Sequence, residues 1–159
     1  MQLLQSDIVS LEAYFQGLVD EDQDIKTLVL ETSHDPFQME RFNSVSNSGD
    51  FNYPAIAMMM PVITGEDNGM HDFEAKQEIG FAILYPTDGT HADELEKYRQ
   101  AQLTGWRFIQ RIRRDSKKRI FRLDKVFYKM APYEYGSDKC VGQYILLQMI
   151  TSTNSQIGS

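Results

Sequence analysis

The sequence has few of the residues that carry covalent or redox chemistry. It contains one cysteine, Cys140, which excludes an internal disulfide. That cysteine lies inside an apolar run and is interpreted as a small strand residue, because reactive thiolates favour helix N-termini and neighbouring cations. The histidines His34, His71 and His91 each have an aspartate within two residues, but their spacing does not place ligands on one rigid element. The sequence predicts neither a metal site nor a cofactor.

Hydrophobic runs and catalytic motifs are also scarce. No apolar run approaches the roughly 20 residues that a membrane span needs. The first seven residues lack a basic segment followed by an apolar core, so no signal peptide is expected. There is no G-x-S-x-G motif, and the acidic segment Gly65–Gly69 lacks the lysine of a phosphate-binding loop. We therefore expect a protein that is not an enzyme.

What the sequence does have is a strong separation of charge. The net charge is −7, but residues 1–78 carry 15 acidic against 3 basic side chains, and residues 97–129 carry 12 basic against 2 acidic ones. Such a chain suits head-to-tail association of copies, contact with nucleic acid, or a simply solvated basic helix face. The candidate interface residues are Asp20, Glu21, Asp22, Arg107, Arg111, Arg113, Arg114, Lys117 and Lys118.

The clearest pattern in the chain is a strand followed by one long helix. Large apolar residues alternate from Ile79 to Tyr85, which predicts a strand with one heavy face. Thr90 is a suitable N-cap, with Asp93 three residues later, as in a capping box. The helix that follows extends to about Asp115, and we expect its sheet-facing side to be formed by Leu95, Tyr98, Leu103, Trp106, Ile109 and Ile112.

The remaining segments give shorter elements. An amphipathic helix is predicted over 3–19, ended by the acidic cluster Asp20–Asp22. Residues 25–31 are predicted to form a short strand, with a second helix as the alternative. Residues 32–53 are predicted to form a long polar loop that orders against a neighbouring subunit. Strands are predicted over 53–62, 119–130 and 140–151, with a hairpin loop at 64–70 and a turn-rich segment at 132–139. Lys125 interrupts the apolar face of its strand, which indicates a bulge or an exposed edge there.

Together these elements predict an α+β fold. We expect a mixed, mostly antiparallel sheet of about four or five strands, with the two amphipathic helices packed on one face. Residues 1–151 are expected to form a single domain, and 152–159 a mobile C-terminal tail.

The order of elements carries a family resemblance. Tyr53-Pro54-Ala55-Ile56-Ala57 opens a strand, Ile79–Tyr85 leads into a helix through Ala92-Asp93-Glu94-Leu95, and Gly142–Met149 closes a final hairpin. Over roughly residues 3–151 this pattern resembles the tail-terminator, or tail-completion, proteins of long-tailed phages and of related contractile injection particles. It has no diagnostic motif, so no functional residue can be carried over individually.

The resemblance implies a structural function. Members of that family are small α+β proteins without enzyme activity, which form rings, typically hexamers, that cap the tail tube and join it to the head or neck. This chain would then lie in the virion, and in the host cytoplasm during assembly, with tail-tube and neck or head-completion proteins as partners. Two alternatives stay open: an accessory protein that contacts nucleic acid through the basic end of the long helix, and a small enzyme or ligand-binding domain with a site on its loops.

Overall fold

The computed structural model describes residues 7–67, 73–118, 121–136 and 140–152 of the chain. Over these residues the elements follow in the order α1 (Ile8–Glu21), β1 (Thr27–Leu30), α2 (Glu40–Ser46), β2 (Ala55–Met58), β3 (Val62–Asp67), β4 (Phe73–Pro86), α3 (His91–Lys117), β5 (Arg122–Tyr135) and β6 (Cys140–Ser152). The fold is α+β, as predicted. Outside the described residues lie the first residues of the predicted N-terminal helix, the His71-Asp72 pair and residues 153–159 of the predicted mobile tail. Ser152, predicted as the first residue of that tail, is instead the last residue of β6.

The strands form one mixed sheet in the order β1-β2-β4-β6-β5, with β3 also paired to β4. Strands β1 and β2 run parallel, and the other described pairs are antiparallel. The described sheet has six strands rather than four or five. The strand predicted over 53–62 ends at Met58, and residues 64–67, predicted as part of a hairpin loop over 64–70, belong instead to a separate strand, β3. Met58 lies opposite Phe81 and Val62 opposite Glu78, so three residues on this side span two on β4. That extra residue is a bulge, and it separates β2 from β3.

One face of the sheet is covered by α1 and α3, and it holds the larger core. The alternation predicted for β4 is confirmed, because Ile79, Phe81 and Ile83 are fully buried on this face. The stripe predicted on α1 is confirmed as well: Phe15 is fully buried, with its ring centroid 5.3 Å from that of Phe81. Burying a side chain of this size contributes about 1.5–3 kcal/mol.

The opposite face corrects the prediction for residues 32–53. Instead of a loop without structure of its own, this segment contains α2, which packs on the chain's own sheet with Phe42 fully buried. The physical reason lies outside the segment. The buried carboxylate of Glu31 accepts hydrogen bonds from the backbone N–H groups of Arg41 and Phe42, both at 2.8 Å, and thereby caps the helix.

The long helix α3 begins as predicted. The Thr90 hydroxyl accepts a 3.3 Å hydrogen bond from the backbone N–H of Asp93. The capping box is incomplete, because the Asp93 carboxylate binds the Thr87 hydroxyl at 2.7 Å and the Asp88 N–H at 2.9 Å instead of the N–H of Thr90. These hydrogen bonds, with that from Thr87 the strongest, lower the pKa of Asp93.

The predicted core face of α3 is wrong for half of its residues. Leu95, Leu103 and Trp106 are 56%, 48% and 48% exposed, respectively. Ile109 and Ile112 are buried as predicted. The other described residues that α3 buries are Ala101, Thr104, Gly105, Phe108 and Asp115. The helix approaches the sheet closely: a Cβ on Gly105 would lie 2.9 Å from both Ile145 Cδ1 and Met130 Cε. Small residues therefore form this contact, and a pattern of large apolar residues does not reveal it.

The C-terminal hairpin matches its prediction in part. The register of β5 on β6 shifts between Leu123 and Tyr128, so the bulge predicted near Lys125 is confirmed. The segment 132–139 is less turn-rich than predicted, because β5 continues to Tyr135. Pro132 fits there because β5 is an edge strand, where a missing N–H breaks no ladder.

Candidate functional site

The basic part of α3 contacts the end of α1 through Arg107. Its Nε lies 3.2 Å from Asp22 Oδ1, and its Nη2 lies 2.8 Å from Asp24 Oδ2 and 3.1 Å from the Thr104 hydroxyl. The Asp22 side chain is only 7% exposed, whereas those of Arg107 and Asp24 are 35% and 44% exposed. The bond to Asp22 is thus largely shielded from water, and charge-assisted hydrogen bonds of this kind are the strong ones.

One turn further along α3, Arg111 forms the second contact. Its Nη1 binds the Glu21 carboxylate, and its Nε lies 3.2 Å from both carboxylate oxygens of Asp115. Asp115 is 3% exposed and also accepts a 2.7 Å hydrogen bond from the Tyr14 hydroxyl. Burial, followed by this hydrogen bond to a carboxylate, raises the pKa of Tyr14. The phenol therefore stays protonated and remains a donor.

Asp22 also shapes the chain between α1 and β1. Its backbone N–H donates to the Leu18 carbonyl oxygen, and its Oδ2 accepts from the backbone N–H groups of Asp24 and Ile25, each at 3.0 Å. Burial alone would raise the pKa of Asp22, but the hydrogen bonds from Arg107 and from these two N–H groups outweigh it and lower the pKa. Asp22 thus ends α1 through its backbone N–H. Its carboxylate stabilises the turn that follows and also binds Arg107 of α3.

These contacts show where the predicted interface residues lie. Glu21 and Asp22 are paired with Arg111 and Arg107 inside one chain, so these four charges are already compensated. Asp20 accepts a 2.8 Å hydrogen bond from Gln16 on its own helix. The four remaining cations, Arg113, Arg114, Lys117 and Lys118, are exposed, and no described residue forms an ion pair with them.

Two clefts flank the Arg107 side chain. One, of about 260 Å³, lies between α1 and α3 and is lined by Leu18, Glu21, Asp22, Arg107, Phe108, Gln110, Arg111 and Arg114. The other, of about 500 Å³, is lined by Gln23, Asp24, Lys26, Pro54, Tyr85, Gln100, Leu103 and Arg107. The carboxylates of Glu21, Asp22 and Asp24 bind arginines of α3 and so hold the end of α1, and the residues that follow it, to α3. The carboxylate of Asp115 binds Arg111 of its own helix.

The outward face of α3 combines exposed apolar side chains with cations. We use this name for Leu95, Leu103 and Trp106 together with Arg113 and Lys117, all of which are at the surface. At about 100° per residue, Leu95, Trp106 and Arg113 fall almost on one line along the helix. Because Phe108, Ile109 and Ile112 point into the core, this line faces away from the sheet. A solvent-facing helix surface does not need three large apolar groups, so it is a candidate interface.

Metal ligation and membrane insertion find no support in the described residues. No group of three or more His, Cys, Asp or Glu side chains among them is placed to hold a metal ion. Within the same residues, every helix is too short or too polar to cross a membrane.

Two features of the site are not evident from the periodicity of apolar residues. The buried Tyr14–Asp115 hydrogen bond joins residues 101 positions apart. The outward face of α3 shares its helical spacing with a core stripe, so periodicity assigns the large residues on it to the core. A comparison with the small residues Ala101 and Gly105, four positions apart, is the signal that identifies the true sheet-facing side.

No protein-family model matches the chain, and a search of curated proteins returns no significant match.

Proposed function

We propose that this chain is a structural ring subunit that caps or completes a phage-like tail tube, or joins the tube to the head or neck, without catalysis. The observation that supports it best is the outward face of α3. Trp106 and Leu103 are each 48% exposed on a helix whose other side is buried. Tryptophan is among the residues most enriched at protein interfaces, where it supplies large contact area.

The internal ion pairs limit which charged side chains remain available for contacts between copies. Arg107 and Arg111 are occupied within the chain, so cations for a second copy come from Arg113, Arg114, Lys117 and Lys118. An assembly that uses exposed charges of this kind weakens as salt rises, because the Debye length falls from about 10 Å at 0.1 M to about 3 Å at 1 M. In the proposed interface between two copies, an apolar contact therefore lies at the centre and ionic contacts lie around it.

Native mass spectrometry and negative-stain imaging of the purified protein test this function. The expected result is a closed ring of defined stoichiometry at about 0.1 M salt, which partly dissociates at about 1 M. In assembled particles, antibody labelling should locate the chain at the end of a tail tube or at a neck. A protein that stays monomeric at high concentration and is absent from particles would refute the proposal.

A second function is favoured by one observation. Arg113, Arg114 and Lys117 are exposed within five residues of one helix and have no ionic partner among the described residues. Such a cluster binds phosphates without sequence preference and with strong salt dependence. If it contacts DNA, Arg114→Glu should weaken retention of duplex DNA at low salt far more than Lys129→Glu, a matched exposed position on β5. Equal effects, or no retention by the native chain, would exclude this function.

A further inference from the structure

Besides the outward face of α3, a large apolar side chain at another position faces solvent. Phe37 is 87% exposed in the turn between β1 and α2. This turn is rigidly held. The Phe37 backbone N–H donates to Asp35 Oδ1 at 2.9 Å, and the Gln38 N–H donates to the Asp35 carbonyl oxygen at 3.0 Å. The Tyr133 hydroxyl, buried with α2, donates to the Pro36 carbonyl oxygen. The phenyl ring is therefore presented on a fixed backbone, which reduces the entropy lost when it is bound.

Phe37 and the outward face of α3 lie on opposite sides of the sheet. Residues 36–39 contact Tyr133 on the side covered by α2, whereas α3 covers the other side. A contact between these two surfaces on different copies joins unlike patches, so it is heterologous. Heterologous contacts repeat from copy to copy and close into a ring when the rotation permits.

The charges around the two surfaces are complementary. Around Phe37, the residues 32–50 carry Asp35, Glu40 and Asp50 against a single Arg41. Beyond Trp106, the outward face carries Arg113 and Lys117, followed by Lys118. Opposite potentials of this kind guide the encounter of two copies and suppress like-charged pairings.

We propose that Phe37 of one copy packs against Trp106 and Leu103 on the outward face of α3 of the next copy. The Leu103 side of that face opens into the cleft of about 500 Å³, which gives the phenyl ring a concave seat. Asp35 and Glu40 then face the cations that follow Trp106. This inference rests on the proposed function, since it specifies which surfaces join neighbouring subunits.

The experiment uses two single substitutions at exposed positions, Phe37→Ser and Trp106→Ser, with Val9→Ser as the control at another apolar side chain, 73% exposed. Light scattering after size exclusion gives the mass of each protein. Phe37→Ser and Trp106→Ser are expected to weaken self-association at least about 30-fold, as loss of an interface hot spot does, while Val9→Ser leaves it unchanged. Far-UV circular dichroism spectra that match that of the native chain, together with a cooperative unfolding transition, establish that the variants are folded.

Mixing the two variants gives the decisive result. Phe37→Ser retains the α3 surface and Trp106→Ser retains the phenylalanine, so an equimolar mixture forms one native contact and stops at a 1:1 dimer. In the native assembly, the emission of Trp106, the sole tryptophan, should lie to the blue of its emission in Phe37→Ser. If the native chain assembles but neither variant weakens it, this inference is wrong and the ring proposal stands. If the native chain stays monomeric at high concentration and is absent from assembled particles, both fail.

Discussion

The Tyr14 hydroxyl donates a 2.7 Å hydrogen bond to the carboxylate of Asp115, which is 3% exposed and lies 101 residues further along the chain. Hydrogen bonds to charged groups contribute about 1.5–3 kcal/mol. Tyr14→Phe should therefore lower the free energy of unfolding by about 1–2 kcal/mol, measured by urea denaturation. A double-mutant cycle with Asp115→Ala, which removes the acceptor, should give a coupling energy above about 0.5 kcal/mol. Strict additivity of the two substitutions would show that the bond does not stabilise the fold.

Asp22→Asn tests the ionic contact between α1 and α3 through its pH dependence. The asparagine oxygen can still accept from the N–H groups of Asp24 and Ile25. The charge facing Arg107 is lost, and so is the hydrogen bond from Arg107 Nε, because an NH2 group replaces the oxygen that accepted it. At pH 7 we expect a loss of about 1–2 kcal/mol in unfolding free energy, because the Asp22 side chain is 7% exposed.

The sign of that pH dependence follows from the lowered pKa of Asp22. Below about pH 4, its unfolded value, the charge begins to be lost from the unfolded chain, and the stabilisation disappears as the pH falls through the lower pKa of the folded protein. Native and Asp22→Asn proteins should therefore converge in stability below about pH 4. Urea unfolding curves at pH 7, 5 and about 3 measure this, and a difference that stays constant with pH would contradict it.

Glu31→Leu tests the cap that β1 supplies to α2. Two backbone N–H groups, of Arg41 and Phe42, lose their acceptor in the interior, which should cost about 2–4 kcal/mol. Hydrogen exchange at these two amides should accelerate by at least the factor that corresponds to this loss of free energy. Glu31→Gln keeps one acceptor oxygen and should cost less, and Glu40→Gln, exposed in the first turn of α2, should change little. Equal costs for Glu31→Leu and Glu40→Gln would disprove the cap.

Two glycine substitutions should have opposite effects. A Cβ on Gly142 of β6 would lie 1.6 Å from the Ile83 carbonyl oxygen, so Gly142→Ala forces the β4 and β6 backbones apart. We expect a loss of more than about 3 kcal/mol, at the severe end of single substitutions. A Cβ on Gly17, inside α1, would meet no atom within 4 Å, and Gly17→Ala should stabilise by up to about 1 kcal/mol. Thermal unfolding of both variants measures the difference.

Local signals are sufficient for the elements whose determinants lie close together in the chain. Thr90 caps α3 through a residue three positions later, and the alternation from Ile79 to Tyr85 predicts which side of β4 is buried. The break between β2 and β3 has no such signal, because Met59-Met60-Pro61 continues an apolar run and the bulge is defined only against β4.

Features that depend on residues far apart in the sequence cannot be predicted from local sequence patterns. The helix α2 depends on a carboxylate from β1, ten residues before the N–H group that it binds. Which side of α3 meets the sheet depends on how closely the two approach at Gly105, and that distance is a property of the packed chain. The charge blocks are evident from the sequence, but their internal pairing through Arg107 and Arg111 requires the α1–α3 arrangement, which periodicity does not specify.

The uninterrupted ladder between β4 and β6, from Glu74 opposite Ser152 to Pro86 opposite Cys140, makes the fold mechanically anisotropic. Tension along these two strands loads all of their hydrogen bonds together, in shear, so that many must rupture at once. Tension across the sheet peels them apart one pair at a time, at far lower force. A subunit with this ladder resists stretching best in the strand direction. Single-molecule pulling measures that resistance when one attachment point lies at one end of β4 and the other at the opposite end of the ladder on β6.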